Sequence, residues 1–161
     1  MNQTGDAQPR WIQISILLGA GLFLIALIVS AIIMPQIRVL HVLQSLVYVA
    51  VVLLTRRNSS WGYGAGVVVA IAWNCLSLFV THLFQTGLRE LYVIVHTGHV
   101  TRPDALTVMV GGIGHFILIF GCMAGFLRLR PNKKHWLQFV GGGFMVVAYM
   151  ALIIFIAAPR P

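Results

Sequence analysis

Long uncharged apolar runs alternate with short polar connections along nearly the whole chain. Three of these runs, at 12–34, 105–127 and 136–158, exceed the about 20 helical residues needed to cross a hydrocarbon core about 30 Å thick. A fourth run, at 61–83, is of similar length and opens with Trp and Tyr, which are typical of membrane–water interfaces. This pattern predicts four transmembrane helices.

A fifth apolar run, at 37–55, is shorter than the others. Arg38 and Arg56 stand near its two ends, so few uncharged residues separate them. Long cationic side chains can extend toward the lipid headgroups and thereby allow a short helix to span. We therefore predict five transmembrane helices, with a bundle of four as the alternative if this run does not insert.

The segment 84–104, between the third and fourth long runs, has a mixed composition. Charged residues and histidines alternate there with Leu, Ile and Val, which makes the segment too polar to span and too apolar for an ordinary loop. Such a composition is typical of a short helix lying in the membrane interface. The sequence thus predicts an all-α integral membrane protein, with residues 1–161 forming one transmembrane domain.

Composition and charge point to the same class of protein. Hydrophobic residues make up 59% of the 161 positions and charged residues only 9%, which leaves too little polar surface for a soluble domain. The net charge of +8 comes from Lys and Arg near the ends of the apolar runs. Cations there contact lipid headgroups, so we predict membrane lipids and no nucleic acid as partners. Cys75 and Cys122 lie apart within predicted spans and indicate no disulfide framework.

The distribution of basic residues predicts the orientation in the membrane. With five spans, one side carries Arg10, Arg56, Arg57, Arg128, Arg130, Lys133 and Lys134, and the other carries Arg38, Arg89, Arg102 and Arg160. Because the more basic side faces the cytoplasm, we predict a cytoplasmic N-terminus and an external C-terminus. The predicted location is a bacterial-type inner or plasma membrane.

Histidines and acids are concentrated in the half of the molecule that is predicted to face outward. The residues are His41, His82, His96, His99, His115, Glu90 and Asp104. Imidazole and carboxylate groups bind transition metals, and His96-x-x-His99 would place two imidazoles on one face if that segment is helical. A metal site is therefore one hypothesis. A lone HxxH lacks the spacing of an established zinc motif, and we favour the alternative that these side chains meet water and headgroups.

A b-type haem is a second hypothesis for the same histidines. His41 and His82 lie at similar predicted depth on different helices, as two axial ligands require, and His115 is an alternative partner. Histidines in transmembrane helices also form hydrogen bonds with neighbouring helices. Both interpretations stay open at this point.

Three polar residues are predicted to lie deep in the membrane. Gln44, Asn74 and His115 occupy comparable depths on three successive spans. Unpaired amides are costly in hydrocarbon, so we expect these side chains to point inward and to bond across the bundle. The predicted spans contain no Lys, Asp or Glu in mid-membrane that could carry charge, so a proton-coupled pump is not indicated.

Glycines are spaced for close helix packing. Gly111, Gly114, Gly121 and Gly125 recur at steps of three, four and seven along the fourth span and so share one stripe. Gly62 and Gly66 in the third span, and the glycines at 141–143 in the fifth, offer partners within the chain. We predict that the stripe is buried against protein.

No complete catalytic or nucleotide-binding motif stands in the sequence, so we do not expect an enzyme. The favoured hypothesis is a non-catalytic accessory or assembly subunit of a larger membrane complex. The alternative is a metal- or haem-binding redox or transport protein. A third hypothesis is a binder of lipids or small apolar molecules, in which 84–104 covers a pocket between spans and Trp73 beside Asn74 forms part of its wall.

Overall fold

The chain folds into helices joined by short turns. The structure, a computed structural model, describes residues 8–157. Its α-helices in that range are α1 (Arg10–Ile33), α2 (Arg38–Arg56), α3 (Ser60–Cys75), α4 (Leu83–Thr97), α5 (Pro103–Arg128) and α6 (Lys133–Ala157). A 3₁₀ turn at Pro35–Ile37 leads into α2, and a π-helical turn at Leu76–Val80 continues α3. Residues 8–157 contain no β-strand.

Five helical segments are long and apolar enough to cross a membrane, namely Arg10–Ile33, Pro35–Arg56, Ser60–Val80, Pro103–Arg128 and Lys133–Ile156. The predicted all-helical architecture is confirmed at this level, and it is consistent with a multi-pass membrane protein. The short second run gains length from the 3₁₀ turn, because proline is tolerated at a helix start where no amide hydrogen is needed.

The third span ends earlier than the predicted residue 83. In the π-helical turn, the backbone N–H of Thr81 donates to the carbonyl of Leu76, 2.9 Å away. His82 then adopts the left-handed conformation, with φ of 53°, and the chain turns into α4. A non-glycine residue in this conformation cannot continue a right-handed helix, so the span stops at Val80.

The predicted interfacial segment contains α4 and the connection that follows it. Gly98, with φ of 71°, ends α4 in the left-handed conformation that glycine adopts without steric cost. His99 therefore lies outside the helix, so the condition under which His96 and His99 would share one helical face is not met. Leu88, Leu91 and Val95 form an exposed apolar stripe along α4, as expected for an amphipathic helix.

Helices α3 and α5 lie at the centre of the bundle. Helix α5 packs against α1, α3 and α4, whereas α3 packs against α2, α5 and α6. The core around these two helices contains large side chains, such as Phe23 of α1, Tyr48 of α2, Tyr63 of α3 and Phe126 of α5. Helix α6 contacts mainly α3 and lies at the edge of the bundle.

The α5 glycines lie mostly against α1 rather than against the glycines of the third and fifth spans. A Cβ added at Gly111 would meet Phe23 of α1. One at Gly114 would meet Gly19 of α1, and one at Gly121 would meet Ile16 of α1. Gly125 instead faces Tyr63 of α3. The remaining two predicted packing glycines are Gly62, against Leu54 of α2, and Gly66, against Cys122 of α5. The glycines at 141–143 face Trp61 and Val68 of α3.

Candidate functional site

A chain of hydrogen bonds joins α2, α5 and α3 inside the bundle. The Tyr48 hydroxyl lies 2.7 Å from Nε2 of His115, and Nδ1 of His115 lies 3.2 Å from Oδ1 of Asn74. An amide oxygen only accepts, so Nδ1 carries the hydrogen and Nε2 accepts from the tyrosine hydroxyl. This pattern fixes one tautomer of a neutral imidazole and links three helices by side chains alone.

The positions of these groups follow from helix geometry. Gln44 and Tyr48 are four residues apart and so lie on the same face of α2. Asn74 stands just before the π-helical turn, and His115 follows the glycine-rich part of α5. The side chains of Gln44, Tyr48 and His115 are each exposed to 1% or less, and Asn74 is exposed to 4%. All three polar residues of the predicted core are therefore buried, but only His115 and Asn74 bond to another helix, since neither amide atom of Gln44 has a partner among the described residues.

A cavity of about 120 Å³ lies beside this hydrogen-bonded chain. Its walls come from α1, α2, the end of α3 with its π-helical turn, the start of α4 and the first half of α5. The polar side chains in its lining are Ser30, His41, Gln44, Trp73, Asn74, Ser77, Thr81, Thr107 and His115. Apolar side chains and two glycines make up the rest of the lining.

Several buried polar atoms at this cavity have no hydrogen-bond partner among the described residues. They are Oε1 and Nε2 of Gln44, Nδ2 of Asn74, Nε1 of Trp73 and Nδ1 of His41. Each unsatisfied buried group costs about 1–3 kcal/mol, and folded proteins rarely leave one without a partner. Five such atoms at one cavity indicate that its contents, either water or a bound molecule, provide the missing hydrogen bonds.

The cavity runs from the level of His115 toward the end of the bundle where α4 lies. Ser30 near the end of α1, Thr81 after the π-helical turn and Thr107 near the start of α5 all belong to that end. There Phe84 of α4 packs over Gly112 of α5, since a Cβ at residue 112 would come within 2.5 Å of the phenyl ring. Helix α4 therefore forms part of the rim.

Helix α4 contacts α5 directly at one position and the loop before α5 at another. Gly87 permits close contact with Ala105 and Met109, because a side chain there would collide with both. The buried Glu90 carboxylate accepts hydrogen bonds from the hydroxyl and N–H of Thr101 and from the N–H of Arg102. The Thr101 hydroxyl and these backbone groups lower the pKa of the Glu90 carboxyl below its ordinary value.

The histidines of the predicted outer half do not all lie around one site in the structure. His41 and His115 line the cavity, whereas the rings of His82 and His96 contact the backbone carbonyls of Leu78 and Tyr92. His99 is exposed in the loop after α4. Within residues 8–157, no three His, Cys, Asp or Glu side chains are placed to hold a metal ion.

The two acids of the predicted metal or haem set take part in local interactions. Glu90 holds the loop before α5, and Asp104 forms an ion pair with Arg102, with Oδ2 and Nη2 2.8 Å apart. His82 is exposed and is not part of the cavity lining, so the structure does not bring it together with His41 around one space.

Sequence reasoning missed Tyr48 and the hydroxyl side chains of the cavity, Ser30, Ser77, Thr81 and Thr107. A signal for Tyr48 was present, because it is the only tyrosine in the second span and stands one helical turn after Gln44. The hydroxyl residues carry no such signal, since Ser and Thr in a span often bond to their own helix.

Comparison of the chain with protein-family models, curated proteins and solved structures finds no match. The fold and the cavity by themselves define the class of protein. It is a small helical protein with five helices of membrane-spanning length and, between four of them and α4, a mostly apolar cavity into which several polar side chains point.

Proposed function

We propose that this protein is an integral membrane protein that binds a small, uncharged, amphipathic molecule in the cavity beside His115. The observation that carries the proposal is the set of unpartnered buried polar atoms from Gln44, Asn74, Trp73 and His41 in an otherwise apolar cavity. A few converging polar groups in an apolar concave site are the usual pattern of a small-molecule site.

The cavity favours a neutral ligand. The described residues that line it include no Asp, Glu, Lys or Arg. An ion moved from water into such surroundings would lose its hydration without gaining a counter-charge, which costs several kcal/mol. A neutral molecule with a polar head and an apolar body loses little hydration and gains the hydrogen bonds that the cavity lacks.

The size of the cavity limits the bound group. A dry cavity of about 150 Å³ is known to hold a benzene ring, and the cavity here measures about 120 Å³. The cavity is smaller than that, so it limits the bound group to one small ring or a short branched head group at most. A haem is much larger, which speaks against haem at this position.

The proposal also includes the position of α4 in the membrane interface and the orientation of the protein in the membrane. The apolar stripe of Leu88, Leu91 and Val95 suits the acyl-chain region, and Arg89 on the adjoining face suits the headgroups. With the N-terminus in the cytoplasm, the rim formed by α4 faces the outer leaflet of an inner or plasma membrane. A ligand dissolved in that leaflet would reach the cavity beside α4.

The proposal is tested by filling the cavity. Val108 lines it, whereas Val110, two residues further along α5, does not and is 36% exposed. We expect the wild-type protein and Val110→Phe, purified gently from membranes, to carry the same co-purifying small molecule when solvent extracts are examined by mass spectrometry. Val108→Phe should lose it. Identical extracts containing only bulk lipid from all three proteins would contradict the proposal.

The accessory-subunit hypothesis stays a prediction that the same purification addresses. Helix α6 carries strongly exposed aromatic residues, such as Phe144 at 73% and Phe155 at 79%. Lipid or a neighbouring subunit can cover such a surface equally well. Stoichiometric co-purification of larger membrane subunits would support assembly into a complex, and a metal assay on the same sample would test the metal hypothesis.

A further inference from the structure

We infer that the head group held in the cavity is a ring that carries carbonyl oxygens, of the quinone type, and that Trp73, Asn74 and Gln44 donate hydrogen bonds to those oxygens. This inference rests on the proposed function, because it names the chemical class of the molecule that the same cavity binds. It concerns binding and requires no electron transfer.

The unpartnered atoms supply more donors than acceptors. The indole N–H of Trp73 can only donate, and the amide nitrogens of Asn74 and Gln44 each carry two N–H groups. The oxygen of Asn74 already accepts from His115. Among the fully buried atoms of the described residues at this cavity that lack a partner, the acceptors are Oε1 of Gln44 and a ring nitrogen of His41. A ligand rich in carbonyl oxygens complements this set more fully than one rich in hydroxyls, because each hydroxyl accepts but also brings a donor that needs an acceptor.

The shape and the walls of the cavity favour a planar ring. Phe23 lines the cavity, with its ring centroid 4.0 Å from that of His115 and 6.3 Å from that of Trp73. These rings pack against one another, and the parts of Phe23, Trp73 and His115 that line the cavity present aromatic surface against which another flat ring can pack. The volume of about 120 Å³ leaves room for no more than one six-membered ring.

Other contents of the cavity complement it less well. A hydrocarbon would leave the N–H groups of Trp73 and Asn74 unpaired in an apolar setting, at the cost of their desolvation. An anion would satisfy the donors, but it would find no cation among the described lining residues. Water could satisfy the donors without any ligand, and the experiment below distinguishes that case.

The test uses the full chain in lipid nanodiscs and measures saturable binding of a tritiated benzoquinone with a decyl tail. The unlabelled competitors are the same quinone, its hydroquinone and decylbenzene, which share the tail and differ in oxygen chemistry. We expect the quinone to compete best, the hydroquinone less well and decylbenzene least. Trp73→Phe and Gln44→Leu should each weaken quinone binding about five- to tenfold, as expected for one lost hydrogen bond.

Matched variants separate local effects from unfolding. Val108→Phe should abolish binding, whereas Val110→Phe and the surface change Gln36→Leu should leave it unchanged. Thermal unfolding of every variant identifies any that fails to fold. If a variant fails to fold, the competitor series on the wild-type protein still decides the chemical class of the ligand.

Failure of this inference is distinguishable from failure of the proposed function. If decylbenzene or the hydroquinone competes as well as the quinone, the quinone class is wrong. Absence of saturable quinone binding in the wild type also overturns the class, and water becomes the occupant if solvent extracts contain no specific molecule. If Val108→Phe still removes a co-purified molecule of another class, the cavity remains a binding site and only its ligand class changes.

Discussion

The Tyr48–His115–Asn74 chain is the main polar feature of the protein interior. Its bonds cross between three helices, and its imidazole uses both ring nitrogens within the protein. The ring of His115 also lies against Phe23, which holds it in place from the α1 side. An imidazole with this many contacts is suited to orienting Asn74 toward the cavity, and it has no free nitrogen with which to bind a metal.

Tyr48→Phe tests this chain at the level of a single hydroxyl. Phenylalanine keeps the ring and the packing but leaves Nε2 of His115 without a partner, which should cost about 1–3 kcal/mol. For a protein of this size we expect the Tm in detergent to fall by about 2–12 °C. The control is Tyr92→Phe, because Tyr92 is 66% exposed and its hydroxyl makes no hydrogen bond within the described residues. Equal Tm values for the two variants would contradict the importance of the Tyr48 hydroxyl.

At the scale of elements, the most extensive helix contact is the crossing of α1 and α5. A Cβ added at Gly19 would lie 2.6 Å from both the carbonyl oxygen of Gly114 and the backbone nitrogen of Leu118. These are backbone atoms and cannot rotate away, so the two helices would have to separate. The contact gives the two backbones a dispersion energy that lipid against a single helix does not match.

Gly19→Ala should therefore destabilise the protein by about 1–3 kcal/mol, which is typical of overpacking. Gly21 on the same helix provides the matched control, because a Cβ there meets nothing within 4 Å. We expect Gly21→Ala to leave the Tm unchanged or to raise it slightly. The measurement is thermal unfolding in detergent, and equal losses for both variants would show that the crossing of α1 and α5 tolerates a methyl group.

The connection between α4 and α5 should respond to acid. Hydrogen bonds from Thr101 and Arg102 stabilise the Glu90 carboxylate and lower its pKa below the ordinary value of 4.5. Because the folded pKa is the lower one, this stabilisation is present above about pH 4.5 and is lost as the pH falls through the folded pKa. Neutral pH should leave the connection intact.

The amide proton shifts of Thr101 and Arg102, followed by NMR, measure this titration. We expect their midpoint to lie below pH 4.5, and Glu90→Gln to remove the component due to Glu90 while any effect of Asp104 persists. A midpoint at or above 4.5 would mean that the carboxylate does not hold the loop in solution.

At the scale of the whole molecule, the helix directions divide the loops into two groups. The turn at Arg57 and Asn58 lies at one end of the bundle, and the loop containing His99 lies at the other, because α3 runs between them. The excess of basic residues at the first end predicts that it is cytoplasmic.

Cysteine labelling in intact cells tests that orientation. In a background carrying Cys75→Ala and Cys122→Ala, we expect His99→Cys to react with a membrane-impermeant maleimide from outside. Asn58→Cys should react only after the cells are permeabilised. The opposite labelling pattern would reverse the orientation and place the rim of the cavity on the cytoplasmic side.

Most of the helical architecture follows from the sequence because it depends on local and one-dimensional properties. An apolar run of about 20 residues can satisfy its backbone in lipid only as a helix, whatever it packs against. The mixed composition of 84–104 likewise predicts the position of α4 in the chain. The polar core was also predictable, because Gln44, Asn74 and His115 interrupt apolar runs at similar depths and have no favourable place except the interior.

Only the tertiary structure decided which helices meet and what lies between them. The α5 glycines fit a partner helix, but their spacing does not distinguish α1 from α3 or α6, and packing of Gly19 against Gly114 made that choice. The cavity depends on side chains from five helices and on the π-helical turn after Asn74, which has no sequence signal. The haem hypothesis grouped histidines by depth, and the metal hypothesis grouped them by depth and by the spacing of His96 and His99 along the chain. Depth is a one-dimensional property, whereas ligation and binding require that side chains converge in three dimensions.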